Sequence, residues 1–310
     1  MLEKEEILFD KNRQPTHQRT NVPRNKIPMS MLFIFAKRFI AGQTLERALP
    51  VVERLHNEGF STTLDILGES VTNAKEASAV SDEYCNVLNI LKEKGLDANM
   101  SLKLTQLGLD VSDQLCFDNV AKILVVAGKL DAYIRIDMEG SVYTQRTLEM
   151  VKRWHGIYKN CGTVVQAMLK RTPGDVEGLL EKGIGVRLCK GAYKEPKDVA
   201  FQDKKDVDRQ YETLMTRLVG SEIYHGIATH DEKLIAKMKD FVNAYGIDKN
   251  KFEFQMLLGI RRDLQKKLLE EGWRVRVYVP YGKAWLPYTI RRLRERKENI
   301  WFVVKNIFKG

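Results

Sequence analysis

The segment VYVPYGKAWLPYTIRRLRER, residues 277–296, sets Tyr288, Arg291 and Arg292 at positions i, i+3 and i+4. Pro280 and Gly282 end a strand there and a helix begins near Ala284, so the three side chains share one helical face. Two guanidiniums and a phenol on one face suit a carboxylate capped by an apolar ring, because arginine grips a carboxylate through charge-assisted, often bidentate bonds. An exposed basic helix is the competing reading, and it is the better one for Arg294, Arg296 and Lys297.

The elements that must position this chemistry show as an alternation of two patterns. Short β-prone runs ending in polar residues or glycine occur at 61–69, 99–108, 132–139, 162–168, 184–191, 224–230, 252–257 and 274–280. Helical spacing separates them, for instance over 142–159 and 207–219, and a further helix at 45–56 carries Leu45, Leu49, Val52 and Leu55 on one face. Eight strands with intervening helices predict a parallel sheet with right-handed crossovers, and eight is the number that closes a barrel. A doubly wound open sheet is the rival. It usually carries a glycine fingerprint after an early strand, and GIGVRL has Leu188 at the third glycine position; no P-loop occurs either.

In a barrel, chemistry sits where strands end. That rule selects Asp65, Lys103, Asp137, Glu139, Gln166, Arg187, Lys190, Thr229, His230, Gln255 and Tyr278. Some of these belong to satisfied structural networks, as buried polar residues generally do. Lys103 and Lys190 are open to a second generic reading as Schiff-base nucleophiles. His17, His56, His155 and His225 read as structural.

The chain has 310 residues, 44% of them hydrophobic and 30% charged, which excludes a disordered chain, a collagen and a disulfide scaffold. Residues 1–41 read as an N-terminal arm, loose and proline-bearing over the first 28, and 42–310 as a single catalytic domain. Cys85, Cys116, Cys161 and Cys189 show no C-x-x-C spacing, as expected of reduced thiols in the cytoplasm. No metal site is expected, and neither a membrane span nor a signal core is apparent, MLEKEE being acidic. Residues 261–310 hold fourteen Lys/Arg against five Asp/Glu, a net +9 out of the chain's +10. Such a segment faces either solvent or an anionic partner. Its tail, NIWFVVKNIF at 299–308, reads as a helix closing the barrel or, alternatively, as a surface lying on the inner face of the cell membrane.

Six segments together, SLKLTQLG, IRIDME, VRLCKGAYKEP, ATHD, FEFQMLLGIR and the 277–296 stretch, closely resemble the proline dehydrogenase family from about Phe39 to the C-terminus. The resemblance implies an α/β fold, a distorted (βα)8 TIM barrel with an N-terminal helical arm, carrying FAD. It implies oxidation of L-proline to 1-pyrroline-5-carboxylate by hydride transfer to flavin N5, and a membrane quinone as acceptor. Nothing resembling the aldehyde dehydrogenase half of the bifunctional relatives follows, so a stand-alone enzyme is expected, with no nucleic-acid partner.

On the substrate side the matching positions are Lys103, Tyr193, Leu257, Tyr278, Tyr288, Arg291 and Arg292, the last two holding the carboxylate. On the cofactor side they are Met138, Gln166, Arg187, Cys189, Lys190, Gly191, Thr229 and His230. Arg187 is implied beside N5, where a cation stabilises the charge that develops. Asp137 is expected to pair with Arg187 or Lys103 and orient it. Cys189, Gly140 and Leu258 depart from the family pattern and touch fine tuning. Tyr288 over the ring disfavours 4-hydroxyproline. A hydroxyproline dehydrogenase on the same fold is the alternative, and a Schiff-base lyase barrel a more distant one.

Overall fold

The computed structural model describes residues 38–295, with side chains as far as residue 290. Eight parallel strands close in sequence order: β1 Ser61–Ile66, β2 Asn99–Leu102, β3 Tyr133–Ile136, β4 Cys161–Gln166, β5 Val186–Cys189, β6 His225–Ala228, β7 Phe252–Leu257 and β8 Val275–Tyr281. β8 returns to β1 over six paired residues, from Ser61 with Arg276 to Ile66 with Tyr281. Every expected strand is present, and each is nearly or wholly buried along its length, as parallel strands covered by helices must be.

One helix precedes the barrel, α1 Leu45–Asn57, and one follows each strand: α2 Ala74–Glu93, α3 Asp113–Lys129, α4 Ser141–Ile157, α5 Thr172–Leu180, α6 Lys204–Val219, α7 Glu232–Ala244, α8 Arg262–Glu270 and α9 Trp285–Glu295. Asn73, Ser112, Asp203 and Asp231 cap the starts of α2, α3, α6 and α7 by accepting backbone N–H bonds. The doubly wound sheet is thereby excluded. The expected helical arm up to residue 37 and the tail at 299–308 lie outside the described residues. Among the described residues no helix is long and apolar enough to cross a membrane.

The two faces of the sheet differ in chemistry. Arg187 on β5 bonds Ser101 on β2, Asp137 beyond β3 and Gln255 on β7. None of those strands neighbours β5, so these side chains meet through the barrel interior. Period-two alternation then turns Val186 and Leu188 outward onto the helices, and on β8 it separates Val275, Val277 and Val279 from Arg276 and Tyr278. The outer layer is the hydrophobic core, and the interior is polar and charged.

The rim is tied down at the last strand. Pro280 has no N–H to give, but its carbonyl accepts from Ala41 N at 2.8 Å, and Gly282 N donates to Gly42 O at 3.0 Å. Phe39 and Ile40, at the end of the expected arm, are buried with Leu67, Ile260, Trp285 and Tyr288, so α9 packs across the strand ends between β7 and β1.

His225 lies at the opposite end of the barrel. Its Nδ1 accepts from Val186 N at 3.1 Å and its Nε2 is 2.9 Å from Ser221 Oγ. Burial, with Arg135 nearby, lowers its pKa from 6.5 to about 3. The unfolded chain therefore binds a proton between those values while the folded one does not, and stability falls as pH drops below 6.5. His225→Gln, which keeps an acceptor and a donor, is expected to remove about 1.4 kcal/mol per pH unit from that slope. Urea unfolding of both proteins from pH 7 to 4 measures it; parallel curves would refute the assignment.

Candidate active site

The C-terminal rim of the barrel gathers four charged side chains and a phenol. Lys103, just beyond β2, places Nζ 2.8 and 2.9 Å from the two oxygens of Asp65 on β1 and 3.9 Å from Asp137 Oδ2. Arg187 Nη1 donates to Asp137 Oδ1 at 2.9 Å, and Tyr278 OH donates to Asp137 Oδ2 at 2.8 Å. The Arg187 guanidinium also lies over the Tyr278 ring, 5.2 Å from its centroid. Asp137 thus touches Arg187 and Lys103 both, with the shorter contact to Arg187.

The electrostatics suit orientation rather than proton abstraction. Burial pulls the Lys103 pKa down, but Asp65 and Asp137 outweigh it, and the ammonium is held above its ordinary range. Burial pushes Tyr278 well up, with Asp137 and Asp65 adding to it, so it stays a phenol. Asp137 has a donor on each oxygen and serves to fix them. A Schiff-base role for Lys103 needs a neutral amine, which this setting opposes.

On β3 to β6 the cofactor candidates form a continuous arc. Gln166 Nε2 donates to the carbonyls of Met138 (3.2 Å) and Glu139 (3.1 Å), which fixes the amide. Its buried Oε1 has no hydrogen-bond partner among the described residues. Cys189 is half-buried, with Sγ 3.5 Å from Val165 O. Gly191 has φ +110°, a conformation that strains any residue with a Cβ. Lys190 lies between Asp208 and Asp231, 2.9 Å from the latter. Burial works against both carboxylates, yet Lys190 together with Lys204 holds them below the usual range. Thr229 Oγ1 accepts from Asp231 N, and His230 Nε2 accepts from Leu257 N at 2.9 Å, which places the ring proton on Nδ1.

Leu257 and Tyr288 pack in the cluster formed by α9 over the rim. Tyr193, in the β5–α6 loop, packs with Met168, Leu169 and Ala200. Arg291 and Arg292 follow Tyr288 by three and four residues in α9; their side chains lie outside the described residues.

Four further residues shape the site. Asp65 and Gln255 carry a rim signal in the sequence, but their partners are not legible there. Glu139 is held by Thr105 N and Oγ1 at 3.1 and 2.6 Å. Glu195 accepts from Ser141 N at 2.7 Å and from its hydroxyl, anchoring the β5–α6 loop on the start of α4; no sequence pattern announces this.

Comparison with known proteins accords with this geometry. The sequence model of the family described as proline dehydrogenase matches residues 48–305. The chain belongs to the proline dehydrogenase family. Proline dehydrogenase 1 of Bacillus subtilis (strain 168) is 41% identical over 274 residues, 88% of this chain and 91% of that one. Proline dehydrogenase of Deinococcus radiodurans is 39% identical over 280 residues, 89% of this chain and 90% of that one. Among solved structures, proline utilization A (PutA) from Bdellovibrio bacteriovorus, inactivated by N-propargylglycine, superposes with a TM-score of 0.80 at 26% identity. That match covers 84% of this chain, which spans 32% of the larger protein.

The Lys103–Asp65 pair is almost fully enclosed, with side chains 9% and 1% exposed. Asp65→Ala strands a buried ammonium and is expected to cost about 3–5 kcal/mol in urea unfolding, whereas Asp65→Leu with Lys103→Met recovers most of it. A single variant as stable as the parent would show that the pair is hydrated.

Proposed function

We propose that this protein is an FAD-dependent L-proline dehydrogenase yielding 1-pyrroline-5-carboxylate. The observation that carries the reading is Arg187, fixed by Asp137 at the rim of a barrel of this family and carried on β5, among the strands that bear the candidate flavin contacts. The residues present suit a flavin. Gln166 offers a buried acceptor without a partner among the described residues, Gly191 a backbone turn without a side chain, and Arg187 a permanent cation. Met138, Gln166, Cys189, Lys190, Gly191, Thr229 and His230 would hold it. The chemistry FAD supplies when bound is acceptance, at N5, of the hydride that leaves proline Cδ.

The remaining roles fall to the chain. Arg291, Arg292 and Lys103 bind the proline carboxylate, and Tyr278, Tyr288 and Leu257 enclose the ring, with Tyr193 at the loop side. Asp137 orients Arg187 and Tyr278. No protein base is required if proline binds with its nitrogen neutral. Loss of hydride leaves a protonated C=N bond, which releases its N–H proton to solvent. A membrane quinone is the proposed electron acceptor, reached from the cytoplasmic side by peripheral contact of the +9 segment at 261–310. A hydroxyproline dehydrogenase is the second reading. The buried Tyr288, packed with Trp285 and Leu257, speaks for proline, since an unpartnered hydroxyl against such a surface costs about 1–3 kcal/mol.

Purified protein is expected to show a flavin spectrum that L-proline bleaches under anaerobic conditions, with a higher kcat/KM for proline than for 4-hydroxyproline. A colourless protein that borohydride links to substrate would indicate the lyase instead. Arg291→Met should raise the proline KM about tenfold or more, with FAD still bound, through loss of a charged hydrogen bond worth about 1.5–3 kcal/mol. An unchanged KM removes Arg291 from the site.

A further inference from the structure

Below the rim, the barrel interior contains a polar chain to which none of the roles above is assigned. We propose that Gln255, backed by Glu253, is a positioning residue that fixes the direction from which the Arg187 guanidinium meets the flavin. This rests on the role given to Arg187 under Proposed function.

The guanidinium is rigid and planar, so two held nitrogens set the direction of the third. Arg187 Nε donates to Gln255 Oε1, and Nη1 donates to Ser101 Oγ at 3.0 Å and Asp137 Oδ1 at 2.9 Å. Asp137 and Ser101 hold one end; among the described residues Gln255 holds Nε and so sets the rotation of the plane. The Gln255 amide has no freedom to flip. It lies between a group that only donates and one that only accepts, so Oε1 faces Arg187 and Nε2 faces Glu253, at 2.6 Å.

Glu253 is anchored in turn. Arg276 Nε donates to it at 2.7 Å and Tyr224 OH at 2.9 Å, while Arg276 Nη1 bonds Asp97 at 2.6 Å. Burial works against the carboxylate, but Arg276 and these hydrogen bonds hold it below its usual range, so it is a fixed anion. The space is made by Gly226, which is in register with both Arg187 and Glu253. A Cβ there would lie 2.4 Å from Gln255 Nε2 and 2.7 Å from its Cδ. Four strands therefore cooperate to seat one amide behind one cation.

The test uses Gln255→Met, which keeps the volume and removes the acceptor, and Gly226→Ala, which displaces the amide. Each is made in the full-length flavoprotein and again in an Arg187→Met background. Flavin reduction by proline in stopped flow, the proline KM and the midpoint potential of the bound flavin are measured. With Arg187 present, each variant is expected to slow reduction about tenfold, to shift the potential negative, and to leave KM within about twofold. In the Arg187→Met background neither is expected to change rate or potential further. Equal losses in both backgrounds would overturn the proposal in favour of packing alone, as would wild-type rate and potential in Gln255→Met. Wild-type reduction in Arg187→Met by itself overturns the role of Arg187 and this proposal together, which tells the two failures apart.

Discussion

A guanidinium enclosed in a closed barrel must be matched on every side, because an unpaired buried charge costs more than most single interactions return. Arg187 meets that demand with partners on β2 and β7 and at the end of β3. The rest of the interior follows from it. Gln255 requires Glu253 behind it, Glu253 requires Arg276, and Arg276 reaches Asp97 near the far end. At the rim, Asp137 brings in Tyr278 and comes near Lys103, which is itself neutralised by Asp65. The reactive face is the upper end of a polar column that runs through the barrel.

The column divides the rim into two halves. Residues assigned to the cofactor lie on β3 to β6 and just beyond them. Those assigned to the substrate lie mostly on β2, β7, β8 and α9. Arg187 joins the halves, held by Asp137 at the end of β3 and by Ser101 and Gln255 on β2 and β7. Within the cofactor half, Glu195 from the β5–α6 loop is bound to Ser141 at the start of α4.

The strand count and order were legible because strands buried on both faces read as short apolar runs with polar ends. Their ends were less so. The run at 99–108 predicts more strand than Asn99–Leu102, because after Lys103 the chain enters a turn whose Leu104 and Leu107 stay in the hydrophobic core without further strand pairing. Asp137, Arg187, Lys103 and Tyr278 were legible from their place at strand ends and from family motifs. The parts played by Ser101, Glu253 and Gln255 were not. Ser101 and Gln255 stand 86 and 68 residues from Arg187, and no local periodicity encodes a contact across a barrel. Gly226 looks like an ordinary strand glycine until the Gln255 amide is seen to fill its missing side chain.

The partners of Arg276 come from distant parts of the chain: Glu253 on β7, Asp97 before β2 and the carbonyl of Thr62 on β1. An open sheet that lacked its last strand would leave Glu253 and Asp97 without their cation, and a sheet lacking its first would deprive Arg276 of an acceptor. Fragments of the barrel thus expose mismatched charge rather than a merely smaller core. The β1–β8 seam therefore does more than bury apolar surface: it completes the set of acceptors around Arg276 and so ties the ionic network to the closed barrel.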